Sequence, residues 1–182
     1  MGSEIKSVGI VGLGYVGLPT AIAFYNANFH VSGVDVSPTV IDMLKQGSSP
    51  LVDHTEILSI PEESERWSVG LGCDILENCE VILITVPTPV TPNKEPDLSF
   101  VESAGRSVLS SIPRGKNRVV VLESTVYPGV TRNLLGGVCE EIGLVIGHKT
   151  GFCNRDMVVF WIEQRKCQNA GNASSELEIT RN

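Results

Sequence analysis

The chain has 182 residues, 42% of them hydrophobic and 19% charged, with a net charge of −7 and a pI near 5.0. That composition predicts a globular protein of one domain with a real core. It argues against a nucleic-acid partner, because no run of Lys or Arg exceeds two residues and phosphate backbones are gripped by basic stripes.

The first informative stretch is VGIVGLGYVGLPTAIAF, residues 8–24, with no charge in seventeen positions and four glycines. A membrane span, a signal peptide and a nucleotide-binding turn all compete for it. A spanning helix needs about 20 apolar residues of helix-compatible sequence. Here Gly9, Gly12, Gly14 and Gly17 are followed by Pro19, and each interior glycine costs roughly 1 kcal/mol of helix propensity relative to Ala. For a signal peptide, Lys6 is well placed before the apolar run. The glycine-filled core and the lack of an A-x-A-like exit argue against it.

The third reading explains the order of the residues. Residues 5–11 are β-rich and suit a buried strand. Gly12-Leu13-Gly14-Tyr15-Val16-Gly17 is then a G-x-G-x-x-G, and 18–27 reads as an apolar helix that tolerates Pro19 in its first turn. A second strand is predicted over 30–36, with Asp35 near its tip. Gly12 permits the tight turn, Gly14 lets backbone approach a pyrophosphate, and Gly17 lets helix and strand pack closely. The helix N-terminus offers free N–H groups and positive partial charge to the phosphates, so an acidic protein can still bind such a ligand. Asp35 lies eighteen residues after Gly17, near the roughly 20 expected for the carboxylate that accepts the ribose hydroxyls. Its plainer role is that of a turn residue at a strand end. Val36, Ser37 and Pro38 offer no cation for a 2′-phosphate, which favours NAD over NADP.

Next comes a helix over 38–46, with Ser37 as N-cap, Pro38 at its first position and Gly47 after its end. Residues 48–65 are polar and turn-rich, with one short helix expected around 56–59. A short strand falls at 69–71, a short helix or turn at 73–78, and VILI (81–84) is a buried parallel strand. Thr85-Val86-Pro87-Thr88-Pro89 follows directly. Its prolines stiffen the backbone at the carboxyl edge of the sheet, where ligands of open α/β sheets bind. Residues 97–112 are helical, with Val101, Ala104, Val108 and Ile112 on one face. RVVVL (118–122) is the next buried strand and delivers Ser124 and Thr125 to the same edge. A helix over 130–142 ends at Gly143. Strands alternating with helices predict an α/β fold, a doubly wound parallel sheet of the Rossmann kind.

The five cysteines (Cys73, Cys79, Cys139, Cys153, Cys167) contain no C-x-x-C pair, and His30, His54 and His148 are scattered, so no metal site is expected. The odd count fits free thiols in a reducing cytoplasm. Asn172-Ala-Ser174 matches a glycosylation acceptor that has meaning only on a secretory route. Lys6 stands where myristoylation wants Ser or Thr.

With these motifs in place, the sequence resembles the UDP-glucose/GDP-mannose 6-dehydrogenases. The resemblance rests on GLGYVGLP (12–19), GVDV (33–36), TVPTP (85–89), EPDLS (95–99) and ESTVYPGVT (123–131). EPDLS and ESTVYPG look most like the members acting on N-acetylated UDP-hexosamines. The resemblance implies oxidation of a sugar C6 alcohol to a carboxylate with two NAD. It implies a hydride transfer to the aldehyde, capture by a cysteine thiolate, a second hydride transfer to a thioester, and hydrolysis. It also implies cofactor contacts at Gly12, Gly14, Tyr15, Val16, Gly17, Asp35, Val86, Pro87, Thr88, Ser124 and Thr125. Thr125 further matches a threonine that positions the reacting water.

The resemblance covers roughly residues 5–147, the expected NAD domain, and fades in the tail, 148–182. No S-P-E-R-like segment follows, and the central helical domain and the G-F-G-G-x-C motif are not in these residues. Cys153, in GFC, lacks the surroundings of that motif. MVVFWI (157–162) would supply a last strand, and the polar 168–182 is expected to be disordered. A frameshift, a split gene or a natural short variant would each explain such a tail. The expectation is an NAD-binding portion of a nucleotide-sugar dehydrogenase, inactive alone. The alternative is a stand-alone binding or interaction module working with a separately encoded catalytic domain. A homodimer or larger assembly is also expected, because apolar surface that the central helix would cover invites self-association. A complete short-chain reductase is disfavoured. Its Tyr-x-x-x-Lys pair is absent, since Pro19, Phe29 and Thr131 stand four places after Tyr15, Tyr25 and Tyr127.

Overall fold

The uncharged run near the start of the chain becomes a strand inside the sheet, the glycine loop and most of the first helix. In the computed structural model, which describes residues 5–51, 58–113, 118–124, 126, 129–147 and 158–163, β1 (Ser7–Val11) pairs in parallel with β2 (His30–Val34) on one side and β4 (Val81–Ile84) on the other. β3 (Trp67–Gly70) extends the sheet beyond β2, and β5 (Arg118–Leu122) extends it beyond β4, both in parallel. Helices α1 (Gly17–Asn26), α2 (Pro38–Lys45), α3 (Ser99–Ser111) and α4 (Gly136–Glu141) connect the strands. A 3-10 turn at Cys73–Leu76 and a π-helical turn at Thr131–Leu135 precede β4 and α4.

Side-chain alternation along the strands builds one core on each face. Val8 and Ile10 of β1 pack with Leu18, Ala21 and Ile22 of α1, Ile41 and Leu44 of α2, and Trp67 of β3. The opposite face of β1, through Val11, joins Val101, Val108 and Leu109 of α3 and Val138 and Cys139 of α4. Trp67 is fully buried and meets Tyr25 edge-on at 5.7 Å, while the Arg66 guanidinium caps the outer face of that Tyr25 ring at 4.5 Å. Close approach of α3 to the π-helical turn depends on Gly105, where a Cβ would overlap the Leu135 side chain.

The predicted elements form where local chemistry is strongest. The Ser37 hydroxyl accepts from Val40 N at 3.4 Å, Pro38 opens α2, and Gly47 leaves it with φ +74°. Gly143 does the same after α4, with φ +74°. Two expectations change. Leu58 and Ser59 are not helical, whereas residues 56–57 lie outside the described residues. The helix expected over 130–142 begins as a π turn, which keeps both Thr131 and Leu135 buried.

The full strand order is β3-β2-β1-β4-β5-β7-β6, with β6 at Val145–Gly147 and β7 at Val158–Glu163. The five strands β3 to β5 are parallel, but β7 runs antiparallel to both β5 and β6. Ten residues separate β6 from β7, whereas a parallel crossover takes a dozen or more, usually with a helix. A short link between neighbouring strands therefore returns antiparallel.

Candidate functional site

The carboxyl ends of β1, β2, β4 and β5 meet at one edge, and each delivers a piece of the site. β1 ends in the glycine loop. Gly12 turns with φ +95°, and its N–H donates to the Val34 carbonyl at 2.8 Å, so β1 stays paired with β2 up to the point where the loop turns away. A Cβ on Gly12 would press on the Thr85 carbonyl at 3.1 Å and Val86 Cα at 3.2 Å. Gly17, at the first turn of α1, is tighter still. A Cβ there would overlap the Gly12 carbonyl oxygen and stand 2.5 Å from Thr85 Oγ1.

Gly14 differs from both. No atom lies within 4 Å of where its Cβ would sit. Gly14, Tyr15 and Val16 are exposed on the outer rim of the loop, with Tyr15 62% and Val16 54% accessible. The loop thus has a sterically closed root and an open crest. That fits a dinucleotide pyrophosphate, which needs backbone N–H groups approachable at the crest and α1 aimed at it from below.

Asp35 is half-buried one residue beyond β2. Its Oδ2 accepts from Leu13 N at 2.8 Å, and its Oδ1 accepts from Ser37 N at 2.9 Å. The carboxylate therefore joins the glycine loop to the turn that starts α2. Each oxygen has a further lone pair for a ligand hydroxyl. Val36, beside it, is 89% exposed, and no cation stands at 36–38.

The loop after β4 begins with Thr85, which is buried. Val86 is half-buried, Pro87 exposed and Thr88 half-buried. Ser124, after β5, is buried and donates its hydroxyl to the Val86 carbonyl at 2.6 Å. Ser124 thereby fixes the proline loop against β5. Thr125 lies outside the described residues, as does Cys153.

Two contributors were not singled out by sequence reasoning. Leu13, written only as an x in the glycine motif, is a buried plug, and a Cβ on Gly33 would lie 3.0 Å from it. Thr85 sends its hydroxyl to the Gly12 carbonyl at 2.8 Å and the Val11 carbonyl at 3.0 Å. The first had a signal, an apolar residue between two glycines. The second had none beyond its place in TVPTP.

Among the described residues no cluster of His, Cys, Asp and Glu could hold a metal, and no helix is long and apolar enough to cross a membrane. The described cysteines are poor nucleophiles. Burial first, and Asp74 second, raises the Cys73 thiol, while burial raises Cys79. Burial first and Glu140 second push Cys139 up to about 11. Cys79 and Cys139 are expected to resist iodoacetamide at pH 8 in the folded chain and to react on unfolding. Peptide-level mass spectrometry checks this, and fast native labelling of Cys139 would contradict its burial.

This geometry agrees with the sequence comparisons. The family model described as "UDP-glucose/GDP-mannose dehydrogenase family, NAD binding domain" matches residues 6–159. The chain belongs to the UDP-glucose/GDP-mannose dehydrogenase family. Its matched region is the NAD-binding domain of that family, and it runs past Gly147 into β7. A UDP-N-acetyl-D-glucosamine 6-dehydrogenase of Pseudomonas aeruginosa is 39% identical over 136 residues, 74% of this chain and 31% of that protein. An NDP-N-acetyl-D-galactosaminuronic acid dehydrogenase of Ralstonia nicotianae is 34% identical, over 72% of this chain and 30% of its own length. The crystal structure of a GDP-mannose dehydrogenase ternary complex from Pseudomonas aeruginosa superposes with a TM-score of 0.66 at 32% identity, covering 75% of this chain and 32% of that one. The chain thus spans about a third of the length of these dehydrogenases.

Proposed function

We propose that this chain is the NAD-binding portion of a nucleotide-sugar 6-dehydrogenase acting on an N-acetylated UDP-hexosamine. The observation that carries the cofactor half of this reading is the contrast within the glycine loop. Gly12 and Gly17 are sterically closed, while Gly14, which follows the Leu13 N–H held by the Asp35 carboxylate, is open. The sugar half rests on EPDLS and ESTVYPG and on the N-acetylhexosamine relatives.

In this reading the N–H groups of Gly14, Tyr15 and Val16 face the pyrophosphate, and Asp35 accepts from the adenosine ribose. Val86, Pro87, Thr88 and Ser124 build the wall toward the nicotinamide side, and Thr125 orients the reacting water. NAD supplies the hydride acceptor when bound. Residues 1–147 form the body of the cofactor unit, and β7 beyond them completes its sheet beside β5. These 182 residues contain no G-F-G-G-x-C, so the cysteine step of the sugar oxidation lies outside them.

Calorimetric titration with NAD⁺ and NADP⁺ tests the reading. Saturable NAD⁺ binding is expected, with NADP⁺ at least about ten-fold weaker, because a 2′-phosphate would meet the Asp35 carboxylate with no cation to offset it. Equal affinity for the two would remove Asp35 from the ribose site, and no binding of either would defeat the assignment of this edge.

A further inference from the structure

We infer that Thr85 is a positioning residue for the cofactor, clamping the peptide plane from which the glycine loop is built. The inference rests on the NAD reading above and adds to it a residue outside the loop.

Three observations converge on the Gly12–Leu13 peptide. Its carbonyl oxygen accepts from Thr85 Oγ1 at 2.8 Å. Its N–H, that of Leu13, donates to Asp35 Oδ2 at 2.8 Å. Its carbonyl also occupies the space that any side chain at Gly17 would need. Both polar ends of one peptide plane are therefore held, one by β4 and one by β2, with the first turn of α1 closed against it. With that plane fixed, the following N–H groups leave the root of the loop in one direction only.

Thr85 suits this role by its own anchoring. Its backbone N–H donates to the Val11 carbonyl at 2.8 Å, which continues the β1–β4 ladder by one residue. Its side chain is buried, so it acts through the loop and not by touching a ligand at the crest. The hydroxyl is what matters, because it places a donor beside the Gly12 carbonyl. A loop held in its binding geometry before the ligand arrives loses less conformational freedom on binding.

The test compares Thr85→Ala with Thr85→Ser in NAD⁺ titrations of the full chain, with folding followed by far-ultraviolet circular dichroism and thermal midpoint. Both variants lose the methyl group, and only Thr85→Ala loses the donor. Thr85→Ser is expected to keep the NAD⁺ dissociation constant within about two-fold of the unsubstituted chain, and Thr85→Ala to raise it about five- to ten-fold, the scale of one lost hydrogen bond. Amide exchange at Leu13, whose N–H is held by Asp35, should rise in Thr85→Ala while Val8 in the sheet stays protected. The clamp is overturned if folded Thr85→Ala binds as well as the unsubstituted chain, or if Thr85→Ser weakens binding as much as Thr85→Ala. Should Thr85→Ala fail to fold, Thr85→Val, which keeps the branched shape and loses the donor, takes its place under the same criteria. Failure of the unsubstituted chain to bind NAD⁺ overturns the cofactor reading itself, and the clamp with it.

Discussion

Gly17→Ala is expected to abolish NAD⁺ binding and to destabilise the folded chain by about 3 kcal/mol or more. Helix propensity alone predicts the opposite, since Ala is favoured over Gly inside a helix by roughly 1 kcal/mol. Sterics decides the outcome. The added Cβ would overlap the Gly12 carbonyl oxygen and crowd Thr85 Oγ1 at 2.5 Å. Neither neighbour can yield cheaply. Gly12 is tied to Val34 at 2.8 Å, and Thr85 is buried at the end of β4. Relief requires α1 to move off the sheet, which opens the contacts of Leu18, Ala21 and Ile22. Gly14→Ala is the matched control. Its Cβ enters open space, so the fold should keep its stability while NAD⁺ binding weakens, because the methyl stands where the pyrophosphate must approach. Urea unfolding and calorimetric titration of both variants separate the two effects. A Gly17→Ala chain that unfolds at the same urea concentration as the unsubstituted one would refute the close approach.

The contrast between these glycines shows how far the sequence alone could be read. Spacing within G-x-G-x-x-G assigned a turn, an approach and a packing contact to Gly12, Gly14 and Gly17. The φ of +95° at Gly12 and the crowding at Gly17 match the turn and the packing contact, and Gly14 has open space where the approach is expected. The α2 helix was equally legible, because Ser37, Pro38 and Gly47 each act locally. VILI and RVVVL announce buried strands for the same reason.

What stayed hidden depends on partners distant in sequence. Thr85 looks like one more β-branched residue at a strand end, and its hydroxyl bond reaches a carbonyl 73 residues away. The dual grip of Asp35 on Leu13 and Ser37 is likewise invisible in a motif that names only its ribose role. The direction of β7 is set by β5 and β6 on either side of it, which MVVFWI cannot encode by itself. The bond from the Ser124 hydroxyl to the Val86 carbonyl, 38 residues away, is equally unannounced by the motif.

Asp35→Ala should cost the chain both affinity and stability, and the two losses can be measured apart. For affinity, the carboxylate is the group beside the glycine loop able to accept two ribose hydroxyls, and hydrogen bonds to a charged acceptor each contribute about 1.5–3 kcal/mol. A fall in NAD⁺ affinity of about thirty-fold or more is expected on that scale. For stability, Leu13 N and Ser37 N lose their acceptors together, so unfolding should become easier by about 1–3 kcal/mol. Asp35→Asn separates the contributions. It returns one oxygen to one of the two backbone donors, but sets an NH₂ against the other. It should regain part of the stability and little of the affinity. Removing the charge also relieves repulsion of a 2′-phosphate, so the ratio of NAD⁺ to NADP⁺ affinity should fall toward one in both variants. Loss of stability with NAD⁺ affinity and cofactor preference unchanged would reduce Asp35 to a turn residue that ties β2 to the glycine loop. Loss of affinity and preference together would place the ribose on this carboxylate, and would make the same two oxygens the link between recognition of the ribose and the shape of the loop that receives the phosphates.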